Sequence, residues 1–388
     1  MVVVVLGAGI GGLSTAHYLL KSQAHKVIVV EATNRVGGWI YSEKQSNRVI
    51  FEQGPRTLRP KGEAGINTLK LIQELGLAND IRPIRSSAPA ARNRFVYINS
   101  KLYTLPTGLK PLVRAVPPFT KPLIHGLWHD LTSVPKYVAD DSIYNFVKRR
   151  FGKEFADYLI SPLICGICGG DAKQISVKFL LNKFFEKEQE YGSVIKHYLR
   201  PWNWKIIGKY NFKEFSKMIF ETKFEDDVWK WITNKDHRRS VRKRNGKATL
   251  DDLSVKAQRE KWSSYSFGEG LEMLPLALEE KVRVAGGTFM MNSQPIKLDL
   301  RERRLIFRDE EISFDFIVGA IPPYYLAPLL REDNFALSKL LSDIPHATII
   351  TVNLLYKKKL LDIQGFGFLV PPSENLPILG EYDCTQCR

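Results

Sequence analysis

The stretch Val2-Val-Val-Val-Leu-Gly7-Ala-Gly-Ile-Gly-Gly12 decides the fold of this chain. Val2 to Leu6 is a short, unbroken apolar run of the kind that forms a buried parallel strand. The leucines and alanines that follow are spaced as in a helix, and a second β-branched run ends on Glu31. Strand, Gly-x-Gly-x-x-Gly turn, helix, strand and acid together predict a dinucleotide-binding unit. A plain glycine-rich turn is the alternative interpretation.

Each part of this motif has a physical role. Gly7 makes the tight turn, Gly9 lets the backbone approach a pyrophosphate, and Gly12 lets helix and strand pack closely. The free N–H groups at the helix N-terminus attract phosphate oxygens. Glu31 is placed to accept hydrogen bonds from both ribose hydroxyls. The predicted cofactor contacts in this unit are Gly7, Ala8, Gly9, Ile10, Gly11, Gly12 and Glu31.

A second glycine-rich turn follows the acid, in Glu31-Ala-Thr-Asn-Arg-Val-Gly-Gly-Trp39. A longer cradle of this kind suits a flavin better than a nicotinamide cofactor, and an ordinary surface loop is the alternative. The extended form resembles the FAD-binding motif of the amine oxidase, phytoene desaturase and protoporphyrinogen oxidase superfamily. The resemblance implies FAD as the cofactor. It adds three predicted contacts, at Arg35, Gly38 and Trp39.

Later segments narrow the resemblance to one branch of that superfamily. Phe51-Glu-Gln-Gly-Pro-Arg-Thr-Leu-Arg-Pro60 is similar to the G-P-R-x-x-R-P element of protoporphyrinogen oxidases, and Gly365-Phe-Gly-Phe-Leu-Val-Pro371 is similar to their G-F-G-x-L-V-P element. Four further segments resemble the same family in the same order: 90–97, 105–108, 270–275 and 320–323. The resemblance is to the oxygen-dependent, animal mitochondrial type, and it covers about 1–198 and 245–380.

This resemblance implies an α/β fold with three parts. A discontinuous, Rossmann-like FAD-binding domain is expected over 1–86 and 265–322. A helical, membrane-associated domain is expected over 109–264, and a substrate domain built on an antiparallel sheet over 87–108 and 323–388. The residue pattern also predicts a hairpin at 95–105, helices at 67–77 and 271–284, and a long β-branched strand from His346 to Tyr356.

The implied reaction is oxidation of protoporphyrinogen IX to protoporphyrin IX, with molecular oxygen as acceptor and hydrogen peroxide as product. An apolar macrocycle that carries two propionates calls for an apolar slot with one fixed cation. Arg94 matches the family position that contacts a propionate, and the slot positions are Phe366, Gly367 and Leu369. The alternatives are a solvated arginine and an ordinary apolar core strand.

The remaining predicted contacts also come from the resemblance. The turn that approaches the flavin contains Gly54, Pro55, Arg56 and Thr57, and Ile296 corresponds to the adenine end. We expect Arg56 to position the cofactor rather than to transfer protons. The sequence shows no Ser/His/Asp triad or carboxylate pair, and hydride transfer to a flavin requires neither. We therefore assign no catalytic side chain and no metal ligand.

Charge and composition restrict the partners. The 388 residues carry a net charge of +16, and the isoelectric point is near 9.5. No nucleic-acid motif accompanies this charge, so we predict no nucleic acid partner and favour an anionic membrane surface or an acidic substrate. Much of the excess lies in Arg238-Arg-Ser-Val-Arg-Lys-Arg-Asn-Gly-Lys247, within an atypical insert at about 199–247, for which a solvated loop is the simpler interpretation.

Localisation follows from the same patterns. No apolar run is long enough to span a bilayer, and no secretory or cleavable mitochondrial presequence is evident. The resemblance implies a peripheral protein of the mitochondrial inner membrane that forms a homodimer. The cysteines form two C-x-x-C pairs, Cys165/Cys168 and Cys384/Cys387, for which a four-cysteine zinc site is the less favoured hypothesis.

The family continues beyond the position of Leu379 and returns to the FAD, whereas Glu381-Tyr-Asp-Cys-Thr-Gln-Cys-Arg388 does not resemble that continuation. From this pattern we expect a truncated product that is poorly soluble and depleted of flavin. Two alternatives to the oxidase remain open at this point. One is an inactive chain that acts only as a binding partner, and the other is an amine-oxidase-like enzyme with another substrate.

Overall fold

The computed structural model describes residues 1–23, 26–45, 49–106, 110–198, 252–356 and 365–382. The predicted basic insert and the pair Cys384/Cys387 lie outside the described residues. In chain order the strands are β1 Val2–Leu6, β2 Lys26–Val30, β3 Ser42–Lys44, β4 Ile50–Glu52, β5 Ile81–Arg85, β6 Phe95–Ile98, β7 Lys101–Thr104, β8 Trp262–Phe267, β9 Thr288–Met290, β10 Lys297–Asp299, β11 Arg304–Ile306, β12 Glu311–Ser313, β13 Phe316–Gly319, β14 Gly367–Leu369 and β15 Gly380–Tyr382.

The chain forms fourteen described α-helices, and a short π-helical turn at Ala156–Ile160 lies between the seventh and the eighth. In chain order they are α1 Ile10–Lys21, α2 Gly62–Glu74, α3 Pro89–Arg92, α4 Lys110–Val113, α5 Ile124–Thr132, α6 Ile143–Phe151, α7 Lys153–Phe155, α8 Ser161–Cys168, α9 Val177–Tyr191, α10 Val194–Tyr198, α11 Leu253–Arg259, α12 Met273–Val284, α13 Pro323–Leu329 and α14 Phe335–Ser342. The predicted helix at 67–77 begins earlier than expected, and the one at 271–284 begins two residues later.

A four-stranded parallel sheet in the order β13-β1-β2-β9 organises the nucleotide-binding unit. Its central strands are apolar without alternation because both faces are covered. Val5 and Val29 lie in one core with residues of α1 and α12, whereas Val4 and Ile28 lie in a second core on the other face. The unbroken run Val2–Leu6 is thereby explained.

Chain segments that are distant in sequence complete this unit. Val5 of β1 pairs with Val318 of β13. Leu253 and Trp262 lie in the first core, and Leu329 and Leu330 lie in the second. The stretches 252–264 and 323–330 therefore pack with the parallel sheet, whereas the sequence assigned them to the helical and substrate domains. The apolar faces of the sheet determine this packing. Segments this short have too few residues for hydrophobic periodicity to predict which unit they join.

A smaller sheet, in the order β15-β14-β6-β7, contains the predicted hairpin. Asn99 and Ser100 connect its strands with φ values of 49° and 61°, the left-handed geometry of a two-residue hairpin turn. Phe368 of β14 pairs with Phe95 of β6 in parallel. The sheet is therefore mixed, which corrects the expectation of a purely antiparallel substrate domain.

The predicted strand from His346 to Tyr356 is wrong. This segment has no regular secondary structure, and Ile350 is 85% exposed. Its β-branched composition favours extended backbone, but a strand also needs a partner edge. No described strand pairs with this segment.

The helical unit spans 110–198 and consists of short helices, as its prolines predict. Its apolar core includes Ile143, Phe146 and Phe185. Asp130, Arg150 and Glu188 are also completely buried there, as an ion cluster among α5, α6 and α9. None of the helices within the described ranges is long and apolar enough to cross a membrane.

Candidate cofactor and substrate site

The Gly7–Gly12 turn is tightly packed where β1 meets α1. Gly7 has a φ of +97°, and its N–H donates to the Val30 carbonyl at 2.7 Å. A β-carbon at Gly7 would lie 2.8 Å from both the Ala320 carbonyl oxygen and the Ile321 side chain. A β-carbon at Gly12 would overlap the Gly7 carbonyl oxygen. Both positions therefore require glycine for packing, and Gly7 also requires it for its backbone conformation.

The N-terminus of α1 faces the second glycine turn. Gly9 is the N-cap residue in extended conformation, and no described side chain caps the helix. Gly9 forms a bridge to Gly37, and a β-carbon at Gly38 would lie 3.2 Å from the Gly9 α-carbon. A β-carbon at Gly11 would meet nothing within 4 Å. Two glycine turns thus form an open, side-chain-free cradle at a 12-residue helix N-terminus, which fits a pyrophosphate.

Glu31 lies at the end of β2 beside this cradle. One carboxylate oxygen accepts from the Ala8 N–H at 2.8 Å. The other accepts from the Thr33 N–H at 3.0 Å and from the Thr33 hydroxyl at 2.8 Å. These bonds fix the carboxylate, and its oxygens keep lone pairs for ribose hydroxyls. Sequence reasoning missed Thr33, whose signal is a hydroxyl residue two positions after the acid.

Arg35 holds the second glycine turn together. Its guanidinium donates to the Gly38 carbonyl at 2.6 Å and to the Val36 carbonyl at 3.2 Å, and it lies 4.8 Å from the Tyr41 ring centroid. These contacts give Arg35 a positioning role within the turn. By contrast, Trp39 is 79% exposed at the end of the same turn. Its indole is available to a bound group.

The turn Gly54–Thr57 approaches the second glycine turn through the β3–β4 hairpin. A β-carbon at Gly54 would overlap the Trp39 carbonyl oxygen, so glycine allows this close approach. On the other side of the turn, the Leu58 N–H donates to the Tyr265 carbonyl at 2.8 Å, and the Tyr265 N–H donates back to Leu58 at 2.9 Å. Both ends of the turn that contains Pro55 and Arg56 are thus anchored.

The adenine-side prediction, Ile296, follows three residues after a backbone contact with Glu31. The Ser293 N–H donates to the Glu31 carbonyl at 2.9 Å. Ile296 is half exposed, and its N–H donates to the Ile306 carbonyl at 2.8 Å, beside the first residue of β10. The stretch 293–296 therefore starts at the ribose end of the cradle.

The four predicted substrate residues lie on, or immediately before, two neighbouring strands, β6 and β14. The Phe366 N–H donates to the Asn93 carbonyl at 3.0 Å, next to Arg94. The Arg94 guanidinium lies 6.0 Å from the Phe366 ring centroid. Leu369 pairs with Val96, and Gly367 opens β14 with a φ of +140°. The structure thus brings the predicted cation and apolar slot together from distant parts of the sequence.

A segment that precedes β14 in the chain contacts the strand that leads to the Gly54–Thr57 turn. The Asn353 side chain donates to the Glu52 carbonyl at 3.2 Å, two residues before Gly54.

In the helical unit, burial raises the pKa of the Cys165 thiol, as do the charges of Asp171 and Cys168. Among the described residues, no group of three His, Cys, Asp or Glu side chains is arranged to hold a metal ion.

Comparison with known proteins agrees with this geometry. The family of flavin-containing amine oxidoreductases matches residues 10–388. The human protoporphyrinogen oxidase is 34% identical over 385 residues, which cover 97% of this chain and 72% of the human protein. A tobacco relative named mitochondrial protoporphyrinogen oxidase is 25% identical and covers 96% of this chain and 69% of its own length.

A solved structure from Exiguobacterium sp. 255-15, provisionally named a protoporphyrinogen oxidase, has the same fold. Its TM-score is 0.65 at 18% identity, and the alignment covers 99% of this chain and 73% of that one. A dinucleotide cradle in a flavin-containing family identifies the flavin as FAD. The chain belongs to the flavin-containing amine oxidoreductases, and it is an FAD-dependent oxidoreductase.

Proposed function

We propose that this chain oxidises protoporphyrinogen IX to protoporphyrin IX, with molecular oxygen as the final electron acceptor and hydrogen peroxide as its product. One observation carries the proposal. Arg94 stands beside the apolar strand segment Phe366–Leu369 in a chain that is related to protoporphyrinogen oxidases over almost its whole length. An arginine next to an apolar slot matches an apolar macrocycle that carries carboxylates at one edge.

The residues present divide the work between cofactor and substrate. FAD, when bound, supplies the hydride acceptor. The Gly7–Gly12 turn and Glu31 hold its pyrophosphate and ribose, and the Gly54–Thr57 turn positions its ring end. Trp39 covers the cofactor, and Ile296 lies towards its adenine.

Three successive two-electron oxidations are needed. Each removes a hydride equivalent and a proton from the macrocycle, and the electrons reduce one oxygen molecule to hydrogen peroxide. The ring nitrogens release the three protons, and one remaining bridge C–H hydrogen moves to a ring nitrogen by imine–enamine tautomerisation, so hydride removal needs no acid–base side chain from the protein. This accounts for a substrate site built from Gly367, apolar residues and one cation, Arg94.

The proposal includes a location. The net charge of +16 favours an anionic surface, and the substrate is apolar, so we place the protein peripherally at the mitochondrial inner membrane. The name of the tobacco relative supports the mitochondrial part of this assignment. We further propose a homodimer, which sedimentation of the flavin-bound protein tests.

Replacing Arg94 with alanine tests the substrate assignment. Arg94→Ala removes a charge-assisted pair with a propionate and should raise KM for protoporphyrinogen IX about ten- to a thousandfold. Protoporphyrin fluorescence and oxygen uptake measure the rate, and flavin absorbance measures cofactor content, which should not change.

Arg92→Ala is the matched control. Arg92 is exposed two residues away, where its guanidinium donates to the Ser86 carbonyl at 3.3 Å. This variant should keep the parent KM. An unchanged KM in Arg94→Ala would contradict the substrate site, and absence of protoporphyrin formation by the flavin-bound parent would contradict the function itself.

A further inference from the structure

A half-buried carboxylate, Glu52, joins three chain segments beside the proposed flavin turn: β3, β4 and the residues just before α12. One Glu52 carboxylate oxygen accepts from the Leu271 N–H at 2.8 Å. The other accepts from the Ser42 hydroxyl at 2.7 Å. Ser42 in turn accepts from the Glu272 N–H at 3.1 Å. The hairpin that leads to Gly54 is thus tied to the start of α12.

The packing around this carboxylate leaves no spare volume. Gly270 has a φ of +95°, and a β-carbon there would contact the Ser42 side chain and lie 3.2 Å from a Glu52 carboxylate oxygen. Glycine at 270 therefore allows the three segments to meet. The Asn353 side chain adds a fourth segment through the Glu52 carbonyl.

The same helix also contacts the phosphate end of the cradle. A β-carbon at Gly37 would lie 3.3 Å from the Pro275 ring in the first turn of α12. Leu274 and Leu278 of α12 share a core with Leu13 of α1. Helix α12 thus packs against the second glycine turn and against α1, which follows the first glycine turn. Glu52 attaches the β3–β4 hairpin to the start of the same helix.

We propose that Glu52 is a positioning residue that fixes the Gly54–Thr57 turn relative to the pyrophosphate cradle, and so sets the position of the flavin ring. This inference rests on the FAD assignment and on the proposed role of that turn. Glu52 acts through the turn and α12 rather than by touching the reacting atoms.

Glu52→Gln tests the proposal, because glutamine preserves the volume but removes the charge behind two hydrogen bonds. We expect flavin affinity in the full chain to fall about tenfold or more, the effect of losing one charge-assisted hydrogen bond. The visible circular dichroism of the remaining bound flavin should change, since it reports ring surroundings. Flavin titration and visible circular dichroism are the readouts.

Glu269→Gln is the matched control, because Glu269 is an exposed carboxylate one residue before Gly270 that pairs with Lys44 of β3 at 2.9 Å. It should keep the parent affinity and spectrum. Ser42→Ala breaks the same bond from the other side and should reproduce the Glu52→Gln spectrum, which serves if Glu52→Gln does not fold.

The outcomes separate this proposal from the proposed function. If the parent and both variants bind flavin with equal affinity and identical spectra, the role of Glu52 is overturned while the function stands. If the variants show the expected change but the parent does not oxidise protoporphyrinogen IX, the role of Glu52 stands and the function falls. A parent that binds no flavin overturns both.

Discussion

The nucleotide-binding unit and the helical unit have different interiors, because within the described residues only the helical unit adds a buried ion cluster to its apolar core. The two cores around the parallel sheet consist of apolar side chains, and close backbone contacts at glycines complete the packing. The helical unit buries Asp130, Arg150 and Glu188 completely. The contrast teaches that small and apolar residues specify the first unit, whereas the second also depends on charges that come together only in the folded chain.

The ion cluster in the helical unit joins several helices through hydrogen bonds and ion pairs. Asp130 accepts from the Arg150 Nε at 2.6 Å, from the Ser193 hydroxyl at 2.5 Å and from the Ile195 N–H at 2.8 Å. Arg149 pairs with Glu188, and Arg150 lies 3.5 Å from the same carboxylate. Each buried charge is therefore compensated, which is the condition for tolerating it away from water.

The largest expected effect lies in the nucleotide-binding unit. Gly12→Ala places a methyl group on the Gly7 carbonyl oxygen, so we expect loss of flavin binding and a lower unfolding temperature. Gly11→Ala is the control for folding, because its β-carbon meets nothing within 4 Å. Flavin absorbance and thermal unfolding are the measurements. Full flavin content and parent stability in Gly12→Ala would mean that the turn is not as closely packed as described.

The next effect lies in the helical unit. Arg150→Met keeps much of the volume but leaves Asp130 and Glu188 with less compensation, and should lower the free energy of unfolding by about 3–5 kcal/mol. Lys153→Met, in the exposed pair with Asp157, should change little. Denaturant unfolding compares the two. Equal midpoints for both variants would show that the buried cluster contributes no more than a surface pair.

A pair of hydroxyl deletions sharpens the comparison. Ser193→Ala removes a buried donor to Asp130 and should destabilise the protein by about 1–3 kcal/mol. The Tyr265 hydroxyl is buried in the apolar core with no hydrogen-bond partner among the described residues, so Tyr265→Phe should be neutral or stabilising. Denaturant midpoints decide between them. The reverse order of stabilities would refute the distinction between the two interiors.

The smallest effect is a pH dependence at Glu52. Burial raises the pKa of this carboxyl above its ordinary 4.5, as does Glu272, against hydrogen bonds from Leu271 and Ser42 and the charge of Arg56. A raised folded-state pKa stabilises the fold fully below pH 4.5, and this contribution is lost as pH rises through the folded-state pKa.

Glu52→Gln removes that dependence. The stability of this variant relative to the parent, measured without added flavin, should therefore rise as pH increases from 4.5. The hydrogen bond from Lys44 lowers the pKa of Glu269, so Glu269→Gln should show a slope of the opposite sign, weakened by solvent. If the stability of Glu52→Gln relative to the parent stayed constant or fell as pH increased, the raised pKa of Glu52 would be contradicted.

The same contrast explains what the sequence predicts and what it does not. The strands Val2–Leu6 and Lys26–Val30, the glycine turn and the hairpin at 95–104 were predictable because local pattern and tertiary environment agree. Arg149 and Arg150 follow Lys148 in a run that has the composition of a solvated face, so their burial gives no local signal. The carboxylates of Asp130 from α5, Glu188 from α9 and Asp141 just before α6 make it favourable.

One failure and one additional role follow from the folded backbone. The strand predicted from His346 to Tyr356 had the right composition, but it lacks a described partner edge. The cofactor contact of Arg35 stays a prediction from its place in the motif, and its guanidinium also donates to the Gly38 and Val36 carbonyls. Residue types indicate the available chemistry, and the hydrogen bonds that use it depend on backbone geometry.

The central claim is that the glycine cradle holds FAD and that the sheet containing Arg94 presents a porphyrinogen to it. The most direct test is the visible absorbance of the purified, flavin-bound protein mixed with protoporphyrinogen IX without oxygen and then exposed to air. The flavin band should bleach on mixing, and it should return with oxygen as protoporphyrin fluorescence appears. A flavin band that protoporphyrinogen IX leaves unchanged, or a purified protein that binds no flavin, would contradict the account.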